Sequence, residues 1–520
     1  MKKNLLISIL LVLVLLVSIV PFSVAAEEAE IKDIVILHTN DIHSRVIGAE
    51  APGADGRPVK KGVIGYARYK TIIDTMKEVN EGRVLVLDAG DAIHGQNFAT
   101  MSKGQSVIRL MNELGVQAMT NGNHEFNYGK QELLDAVKEA DFPVMSANIV
   151  DENGELPFAA NTIFEIEGIK IGVFGLTTPE TKYKANPKNT EGYEFLDVAE
   201  VAQAQVDALK EEGADVVILL AHLGVDEASE VNTLTVLDKV KDIDVIIDGH
   251  SHTLLPEGEM HGETLLAQTG AHLANVGVVT LSFNGKEVVE KKAEVITFLE
   301  AMQYAENEEI KASIAAIEEE NARVTEVEVA ELSADLEGER EDVRTRETNM
   351  ADLITDAMLK RTGADAVITN GGGIRASIAA GTVTFGDLLT VLPFGNMVTV
   401  IEVSGQDIQD ALNYGVDAYP EPAGKFPQVA GITYVIAKDG DANVAKDIMI
   451  AGEALDLEAT YKLATNDFMA VGGDGYTMFE GKEQIVLEGL MVDVVRDYVL
   501  EIAEDGSFSY ETDARITVEE

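Results

Sequence analysis

The chain has 520 residues, no cysteine and a formal net charge of −50 at pH 7. The lack of cysteine excludes disulfide bonds and thiolate metal sites, so any metal must be bound by His, Asp, Glu, Asn or Gln. Such a negative charge argues against binding nucleic-acid polymers, whose phosphates require clustered Lys and Arg. A small phosphorylated substrate stays open, because bound metal ions reverse the local field.

The first 26 residues have the pattern of a secretory signal peptide. Lys2 and Lys3 form a basic start, Leu5–Val20 is apolar, and residues 23–26 are small enough for cleavage. An uncleaved membrane anchor is the alternative, whereas a lipid anchor is excluded because no cysteine follows the apolar run. No later apolar run is long enough to span a membrane. We therefore expect an exported protein, at the cell surface, in a periplasm or in the medium.

Two domains are expected from the pattern of the rest of the chain. From Ile34 to about Phe283, strand-like runs alternate with amphipathic helical stretches, which predicts an α/β domain of layered sheets flanked by helices. Residues 303–323 are rich in Glu and Ala and predict one exposed helix between two differently composed halves. We assign residues 31–297 to the first domain, 298–325 to a linker helix and 326–518 to an α+β domain.

The predicted elements of the first domain can be placed in chain order. The strands are expected at 34–37, 84–87, 144–147, 171–174, 216–220, 245–247 and 276–281, and the helices at 64–79, 107–114, 131–139 and 198–211. All nine histidines precede the linker, so metal chemistry is expected in the first domain.

Residues that can bind metals follow four of these strands and one further short apolar stretch before Thr120. They are Asp41 and His43, then Asp91, then Asn123, then His222, and finally His250 and His252. Any one of these motifs could be an ordinary turn or a structural histidine, but five at strand ends predict a divalent-metal centre. The set is large enough for two ions about 3.5–4 Å apart that share the Asp91 carboxylate, as in two-metal phosphoester hydrolysis. Zn²⁺ or Mn²⁺ suits these donors, and His124, beside a ligand, is placed to act as a general acid.

The order of these motifs resembles that of the calcineurin-like metallophosphoesterases. The spellings TNDIHSR, GNHEF and DGHSH are similar to the secreted 5′-nucleotidase branch, and the resemblance extends over residues 31–518. It implies hydrolysis of nucleoside 5′-monophosphates, and of other nucleotides, to nucleoside and phosphate. It also implies how the ligands divide: Asp41, His43, Asp91 and His252 for one metal, and Asp91, Asn123, His222 and His250 for the other.

The chain departs from the family pattern at one position. The family usually has aspartate after GNHEF, where its carboxylate supports the catalytic histidine, but this chain has Asn127. A neutral amide favours a protonated imidazole far less than a carboxylate does. Our hypothesis is that the pKa of His124 is lower than in the family and that turnover at neutral pH is slower.

In the second domain, Asn370-Gly-Gly-Gly-Ile-Arg375 has the composition of an anion site. Three glycines let the backbone approach an anion, and an arginine supplies a charge-assisted fork. The resemblance makes Arg375 a phosphate clamp. Because no arginine lies between Arg375 and Arg496, a second clamping residue is expected from Arg340, Arg344 or Arg346.

The resemblance also implies contacts to the nucleoside. Phe426 and Phe468 are expected to stack on the two faces of the base, since every base offers a π-face. Asp474 is expected near the ribose, and Asn396 is a further substrate contact. Because the metals and this pocket belong to different domains, the linker is expected to let the domains close.

Several alternatives remain open at the level of sequence. A 2′,3′-cyclic nucleotide phosphodiesterase or a UDP-sugar hydrolase on the same scaffold differs only in pocket contacts. A thiosulfate-ester hydrolase is disfavoured by the paired aromatics. A nucleotide-binding protein with weak catalysis is favoured only by Asn127, and both a monomer and a homodimer are compatible with the sequence.

Overall fold

The computed structural model describes residues 31–49, 62–185, 189–226, 229, 231–440, 442–482, 484–503 and 505–519. The predicted signal peptide lies outside the described residues. Among the helices in these ranges, none combines the length and the apolar character needed to cross a membrane.

The first domain contains fourteen strands in the part of the chain that the structure describes. In chain order they are β1 Ile31–Thr39, β2 Val84–Asp88, β3 Ala118–Thr120, β4 Val144–Met145, β5 Ile149–Asp151, β6 Asn161–Ile166, β7 Ile169–Thr177, β8 Tyr193–Phe195, β9 Val216–His222, β10 Val245–Ile247, β11 Glu259–His261, β12 Thr264–Ala267, β13 Asn275–Asn284 and β14 Glu287–Thr297.

Helices cover both outer faces of this domain and continue into the linker. They are α1 Tyr66–Val79, α2 Asn97–Thr100, α3 Gln105–Leu114, α4 Lys130–Glu139, α5 Thr181–Lys184, α6 Val198–Glu211, α7 Thr233–Lys239, α8 Phe298–Ala301 and α9 Glu308–Thr325. A short 3-10 helix, His124–Tyr128, follows β3.

Two six-stranded sheets form the centre of the first domain. Their strand orders are β14-β13-β1-β2-β3-β4 and β11-β12-β10-β9-β7-β6. Strands β1 to β4 run parallel in the first sheet, as do β7, β9, β10 and β12 in the second. Apolar side chains from both sheets, such as Ile36 and Leu220, pack between them. The carboxyl ends of the central strands of both sheets consequently meet at one edge, where the predicted metal ligands lie.

The second domain is α+β, as predicted. Its strands are β15 Glu328–Leu332, β16 Ala366–Asn370, β17 Gly381–Thr384, β18 Met397–Ser404, β19 Pro427–Ala430, β20 Ile432–Asp439, β21 Ala442–Ile450, β22 Glu453–Ala454, β23 Thr460–Asn466, β24 Gln484–Leu490, β25 Ser507–Phe508 and β26 Ile516–Val518. Its helices are α10 Arg340–Val343, α11 Asn349–Thr362, α12 Phe385–Val391, α13 Gly405–Val416 and α14 Met491–Ile502. A mixed five-stranded sheet, β19-β16-β23-β18-β24, lies at the centre of this domain and presents its loops to the first.

The linker differs from the single exposed helix that was predicted over residues 303–323. The structure has two helices, α8 and α9, and α9 begins only at Glu308. The reason is a helix cap, because the Asn307 side chain accepts hydrogen bonds from the backbone N–H groups of Glu309 and Ile310. One face of α9 is also buried: Ile310 and Ile314 belong to the core of the first domain. The linker is thus packed on the metal-bearing domain.

We predict that the packing between the two sheets contributes a large part of the stability of the first domain. Leu85 is fully buried between the sheets, so Leu85→Ala should lower the free energy of unfolding by about 2–5 kcal/mol. Val289, half exposed on an edge strand, provides the control, and Val289→Ala should change it by less than about 0.5 kcal/mol. Denaturant unfolding checks both values, and equal losses would contradict the assignment.

Candidate functional site

The seven predicted metal ligands lie together where the parallel strands of the two sheets end. Five of them are buried: Asp41, His43, Asp91, Asn123 and His222. His250 and His252 are partly exposed and face a cavity. Residues that follow strand ends in five separate segments of the chain therefore form one cluster.

Asp91 occupies the centre of this cluster. Its Oδ2 lies 3.2 Å from His222 Nε2 and 3.9 Å from His43 Nε2. Its Oδ1 accepts a hydrogen bond from the backbone N–H of His124 at 2.8 Å. One carboxylate oxygen thus reaches towards imidazoles from both sheets, which is the position that a bridging ligand requires.

The remaining ligands surround Asp91 in two groups. His252 Nε2 lies 3.3 Å from Asp41 Oδ1 and 3.1 Å from His43 Nε2. His250 Nδ1 lies 2.9 Å from Asn123 Oδ1. These are the partners that the family resemblance assigns to one metal and to the other, respectively.

The backbone at these ligands is strained. Asp41, His43, Asp91, His250 and His252 all have positive φ angles, between 50° and 73°. Such angles cost free energy for residues other than glycine and persist only where the surrounding structure enforces them. Their concentration at the strand ends indicates a functional constraint on this cluster.

Glycine makes room for the cluster at Gly122. A Cβ atom at this residue would lie 2.2 Å from Asp91 Oδ1 and 2.7 Å from His222 Nε2. No side chain could therefore be tolerated there without displacing two predicted ligands. The GNHE motif needs its glycine because the backbone passes directly over the site.

Two buried carboxylates hold the ligand-bearing loops in place. Glu125 accepts hydrogen bonds from the backbone N–H groups of Asp91, Ala92 and Gly122 at 2.6–2.8 Å. Burial, and then the Asp91 carboxylate, raise the pKa of Glu125 to about 7. Asp248 plays the same part in the second sheet, where it accepts from the N–H groups of residues 223, 224 and 249 at 2.9–3.1 Å.

The residues present fit a bound cation. The Nε2 atom of His222 is buried and has no hydrogen-bond partner among the described residues. Burial alone would lower the pKa of His222, but the Asp91 carboxylate outweighs it and raises the pKa to about 10. The site therefore has a place for positive charge between Asp91 and His222, and its carboxylate, amide and imidazole donors suit Zn²⁺ or Mn²⁺.

Asn127 contacts the predicted general acid directly. Its Nδ2 atom lies 2.6 Å from His124 Nδ1 and 3.3 Å from His94 Nδ1. An amide N–H can donate only to an unprotonated ring nitrogen, so this contact stabilises neutral His124. Burial also lowers the pKa of His124 well below its ordinary value. Both effects act in the direction expected from the replacement of the family aspartate.

Sequence reasoning missed two residues of the metal cluster. Glu180 Oε2 lies 3.0 Å from His250 Nε2. This contact orients the imidazole of His250 so that its Nδ1 faces Asn123. His272, with a φ of 63°, has its ring 5.6 Å from that of His43 and 5.7 Å from that of His252. Glu180 follows the end of β7, so the strand-end rule could have found it; His272 lies in a loop after β12.

A cavity of about 800 Å³ connects the metal cluster to the second domain. Asp91, Asn123, His124, His250 and His252 line one end of it. The second domain contributes four of the five predicted substrate residues to its lining, namely Arg375, Asn396, Phe468 and Asp474. The structure thus brings most of the sequence-predicted residues of both domains to one enclosed space.

Arginines of the second domain make the cavity wall positive. Arg340, Arg344 and Arg375 line it. Burial, and then the neighbouring arginines, lower the pKa of Arg344 to about 9 and that of Arg375 to about 10. The buried Nε of Arg344 has no hydrogen-bond partner in the described part of the chain. Arg346 instead forms ion pairs with Glu337 and Asp342, so it is not the second clamping arginine.

The structure departs from the prediction at Phe426. Its side chain is only 2% exposed and belongs to the core of the second domain. It comes directly before β19 and turns inwards, while its neighbours Gly424 and Lys425 line the cavity. In this conformation Phe426 cannot stack on a molecule in the cavity.

Phe394 is the aromatic residue that the sequence analysis overlooked. It lies in the same Pro-Phe-Gly-Asn segment as Asn396 and lines the cavity. Its ring stacks on His94 at 5.0 Å and on His124 at 5.8 Å between centroids, and the Arg375 guanidinium lies 5.5 Å from its centre. The second domain thus contacts the predicted general acid through Phe394.

Comparison with known proteins adds family matches for both domains. Residues 34–254 match the model of the calcineurin-like phosphoesterases, and residues 323–481 match that of the 5′-nucleotidase C-terminal domain. A divalent metal cofactor accompanies the first of these folds.

Individual relatives cover nearly the whole chain. It is 31% identical over 514 residues to a 5′-nucleotidase of Vibrio cholerae, covering 90% of each protein. It is 32% identical over 496 residues to the trifunctional nucleotide phosphoesterase protein YfkN of Bacillus subtilis, but it spans only 32% of that relative's length. The crystal structure of a 5′-nucleotidase precursor from Thermus thermophilus superposes with a TM-score of 0.79 at 32% identity, covering 94% of this chain and 99% of that one.

We predict that Glu180 supports metal binding through His250. Glu180→Gln removes the charge that accepts the His250 N–H, so the affinity for Zn²⁺ should fall by roughly 10–100-fold. Calorimetric titration of metal-free protein measures this. Glu194, exposed on β8, supplies the control, and Glu194→Gln should leave the affinity unchanged. An unaltered affinity in Glu180→Gln would refute the role.

We also predict that Asn127→Asp speeds hydrolysis at neutral pH. A carboxylate against His124 Nδ1 raises the pKa of the imidazole, so its protonated form persists to higher pH. Because a general acid is active only when protonated, the alkaline limb of the rate–pH profile should move to higher pH. The rate at pH 7 should rise roughly tenfold for each unit of pKa regained. A rate and profile identical to wild type would count against the hypothesis.

Proposed function

Because the chain belongs to the 5′-nucleotidase family, we propose that it hydrolyses nucleoside 5′-monophosphates to nucleoside and phosphate. The observation that carries this proposal is the cavity itself. The first domain contributes the metal cluster to its lining, and the second domain contributes arginine, aromatic and carboxylate side chains. A phosphate, a ribose and a base each find suitable partners within one connected space.

The metal centre is proposed to hold two ions, Zn²⁺ or Mn²⁺, that share Asp91. Asp41, His43 and His252 complete the set for one ion, and Asn123, His222 and His250 that for the other. When bound, the pair activates water and stabilises negative charge on the phosphoryl oxygens. The position of Asp91 between His43 and His222 supports the sharing of its carboxylate.

The residues of the chain then position the substrate and handle its charge. Arg344 and Arg375 hold the phosphate, because both line the cavity and the pKa of each is lowered by burial and by a neighbouring arginine, an effect that a bound anion would relieve. His124 lies at the cavity wall and donates a hydrogen bond or a proton to the developing negative charge. Asn127 orients this imidazole by holding its Nδ1.

The nucleoside is proposed to lie against the second domain. Phe394 and the largely buried Phe468 (8% exposed) both line the cavity. Stacking of a base on an aromatic ring there would tolerate any base. The Asp474 carboxylate is held by the Asn370 side chain at 2.7 Å and faces the same space, where it can accept from ribose hydroxyls. Asn396 adds an amide nearby.

The range of nucleotides is proposed to extend beyond monophosphates. The name of the Bacillus subtilis relative, a trifunctional nucleotide phosphoesterase, supports activity on more than one kind of nucleotide. The candidates are 2′,3′-cyclic nucleotides and UDP-sugars. The catalytically weak binding protein is disfavoured because the whole ligand set comes together around Asp91. The aromatic rings on the cavity wall argue against thiosulfate esters.

The protein is proposed to act outside the cytoplasm. This rests on the basic start and apolar run of residues 1–26, which resemble a signal peptide.

We predict metal-dependent hydrolysis of AMP to adenosine and phosphate, measured beside UDP-glucose and 2′,3′-cAMP by separating the nucleoside and nucleotide products, with Mn²⁺, with Zn²⁺ and after chelation. Arg344→Ala and Arg375→Ala should each lower kcat/KM by more than roughly tenfold, because each removes a charge-assisted contact to phosphate.

Arg346 gives a matched control, since its guanidinium pairs with Glu337 outside the cavity. Arg346→Ala should retain kcat/KM within about threefold, as expected for a surface ion pair. No hydrolysis of any of the three nucleotides by folded, metal-loaded protein would refute the proposed function.

A further inference from the structure

A second group of carboxylates lies in the C-terminal domain, away from the metal cluster. Glu347, Asp352 and Asp513 each offer an oxygen, and these oxygens lie within 4.8 Å of one another. Asp356 stands close by, and the basic side chain paired with the aspartates is Arg515. Its guanidinium contacts Asp513 at 2.6 Å and Asp356 at 2.7 Å, but lies 3.7 Å from Asp352.

One guanidinium cannot neutralise this group. Three aspartates lie within 3.7 Å of the guanidinium, and Glu347 lies beside two of them. Glu347 and Asp352 are at most 8% exposed. Burying charge without a counter-charge is costly. The group therefore needs further positive charge, either as protons or as a cation.

Asp352 has a carboxylate oxygen that lacks a partner. The residue is 1% exposed, and its Oδ2 makes no hydrogen bond within the described residues. The oxygens of Glu347, in contrast, accept from the backbone N–H groups of Asp513, Ala514 and Ile516 at 2.9–3.1 Å. The two Glu347 oxygens can therefore make a further contact only through the lone pairs that point away from those amides.

We propose that Glu347, Asp352 and Asp513 bind a divalent cation, Ca²⁺, independently of the catalytic centre. All three donors are carboxylates, which are hard ligands that select Ca²⁺ or Mg²⁺ over metals that prefer nitrogen. Ca²⁺ tolerates an irregular set of oxygens, whereas Mg²⁺ demands near-octahedral geometry. The side chain of Asp513 is 64% exposed, so water can complete the coordination from that side.

The proposed ion links the end of the chain to the start of a helix. Asp352 belongs to the first turn of α11, and Asp513 precedes the last strand, β26. Glu347 already holds residues 513–516, because its carboxylate accepts hydrogen bonds from backbone amides of that segment. A cation between the three would fix the terminal strand to the body of the C-terminal domain.

A shared proton is the competing source of positive charge. Burial, partly offset by Arg515, raises the pKa of Asp352 to about 8. A carboxyl group whose pKa is raised in the folded state stabilises the fold at low pH, and that stability is lost as pH rises towards 8. Ca²⁺ should therefore stabilise the protein more at pH 8.5 than at pH 6, because at pH 6 it must first displace this proton.

The test uses the full chain with Zn²⁺ in the catalytic centre, and measures Ca²⁺ binding by equilibrium dialysis at pH 8.5. Wild type should bind one Ca²⁺, and millimolar Ca²⁺ should raise its Tm by roughly 3 °C. Asp352→Asn should weaken the binding by at least tenfold and abolish the rise in Tm.

Two further variants keep the test decisive. Asp513→Asn changes an exposed ligand, so it tests binding even if Asp352→Asn fails to fold, and it should weaken Ca²⁺ at least tenfold. Glu453→Gln alters an exposed carboxylate elsewhere in the domain and should bind Ca²⁺ as wild type does.

Absent Ca²⁺ binding, or binding unaffected by both aspartate substitutions, overturns the proposal. Stability that rises on acidification in wild type, with no response to Ca²⁺, overturns it too and assigns the charge to a proton.

Discussion

The position of one buried carboxylate, Asp91, determines much of the first domain. Its oxygen faces imidazoles from two different sheets, so the sheets must pack with their carboxyl ends at one edge. The backbone then has to pass close to this carboxylate, which only Gly122 allows. Glu125 and Asp248 hold the loops, and the positive φ angles of the ligands are sustained by this framework.

Charge is divided between the two domains in a complementary way. The first domain presents carboxylates and imidazoles that can bind cations, and the second presents arginines on the cavity wall that can bind an anion. Neither set is balanced alone, in a chain whose overall charge is −50. A phosphate bound between the metal cluster and the arginines would satisfy both, which explains why the cavity lies at the boundary between domains.

The metal ligands could be predicted from the sequence because strand ends and ligand spacing are local features. A short apolar run followed by Asp-x-His or Asn-His fixes both the strand and the side chain just beyond it. Side-chain direction within a loop is not local, and here the prediction departed from the structure. Phe426 and Phe394 both lie in loops with Pro and Gly, but packing against the core turns the first inwards and leaves the second on the cavity wall.

Other departures have similar causes. Asparagine is a common helix N-cap, so the start of the helix at Asn307 could have been recognised in the sequence. The Glu- and Ala-rich composition around it instead favoured one longer helix. Glu180 follows a strand end and could have been found in the same way as the ligands, whereas His272 lies in a loop and only the fold brings it to His43. Long-range contacts of this kind leave no periodic pattern in a single sequence.

The most direct test of the account is to locate the metals by anomalous diffraction from crystals grown with Zn²⁺ or Mn²⁺. Two peaks are expected, roughly 3.5–4 Å apart, with Asp91 between them. His43 and His252 should lie at one peak, and His222 and His250 at the other. A single peak, or two peaks that do not share Asp91, would contradict the central claim that this carboxylate bridges the ions.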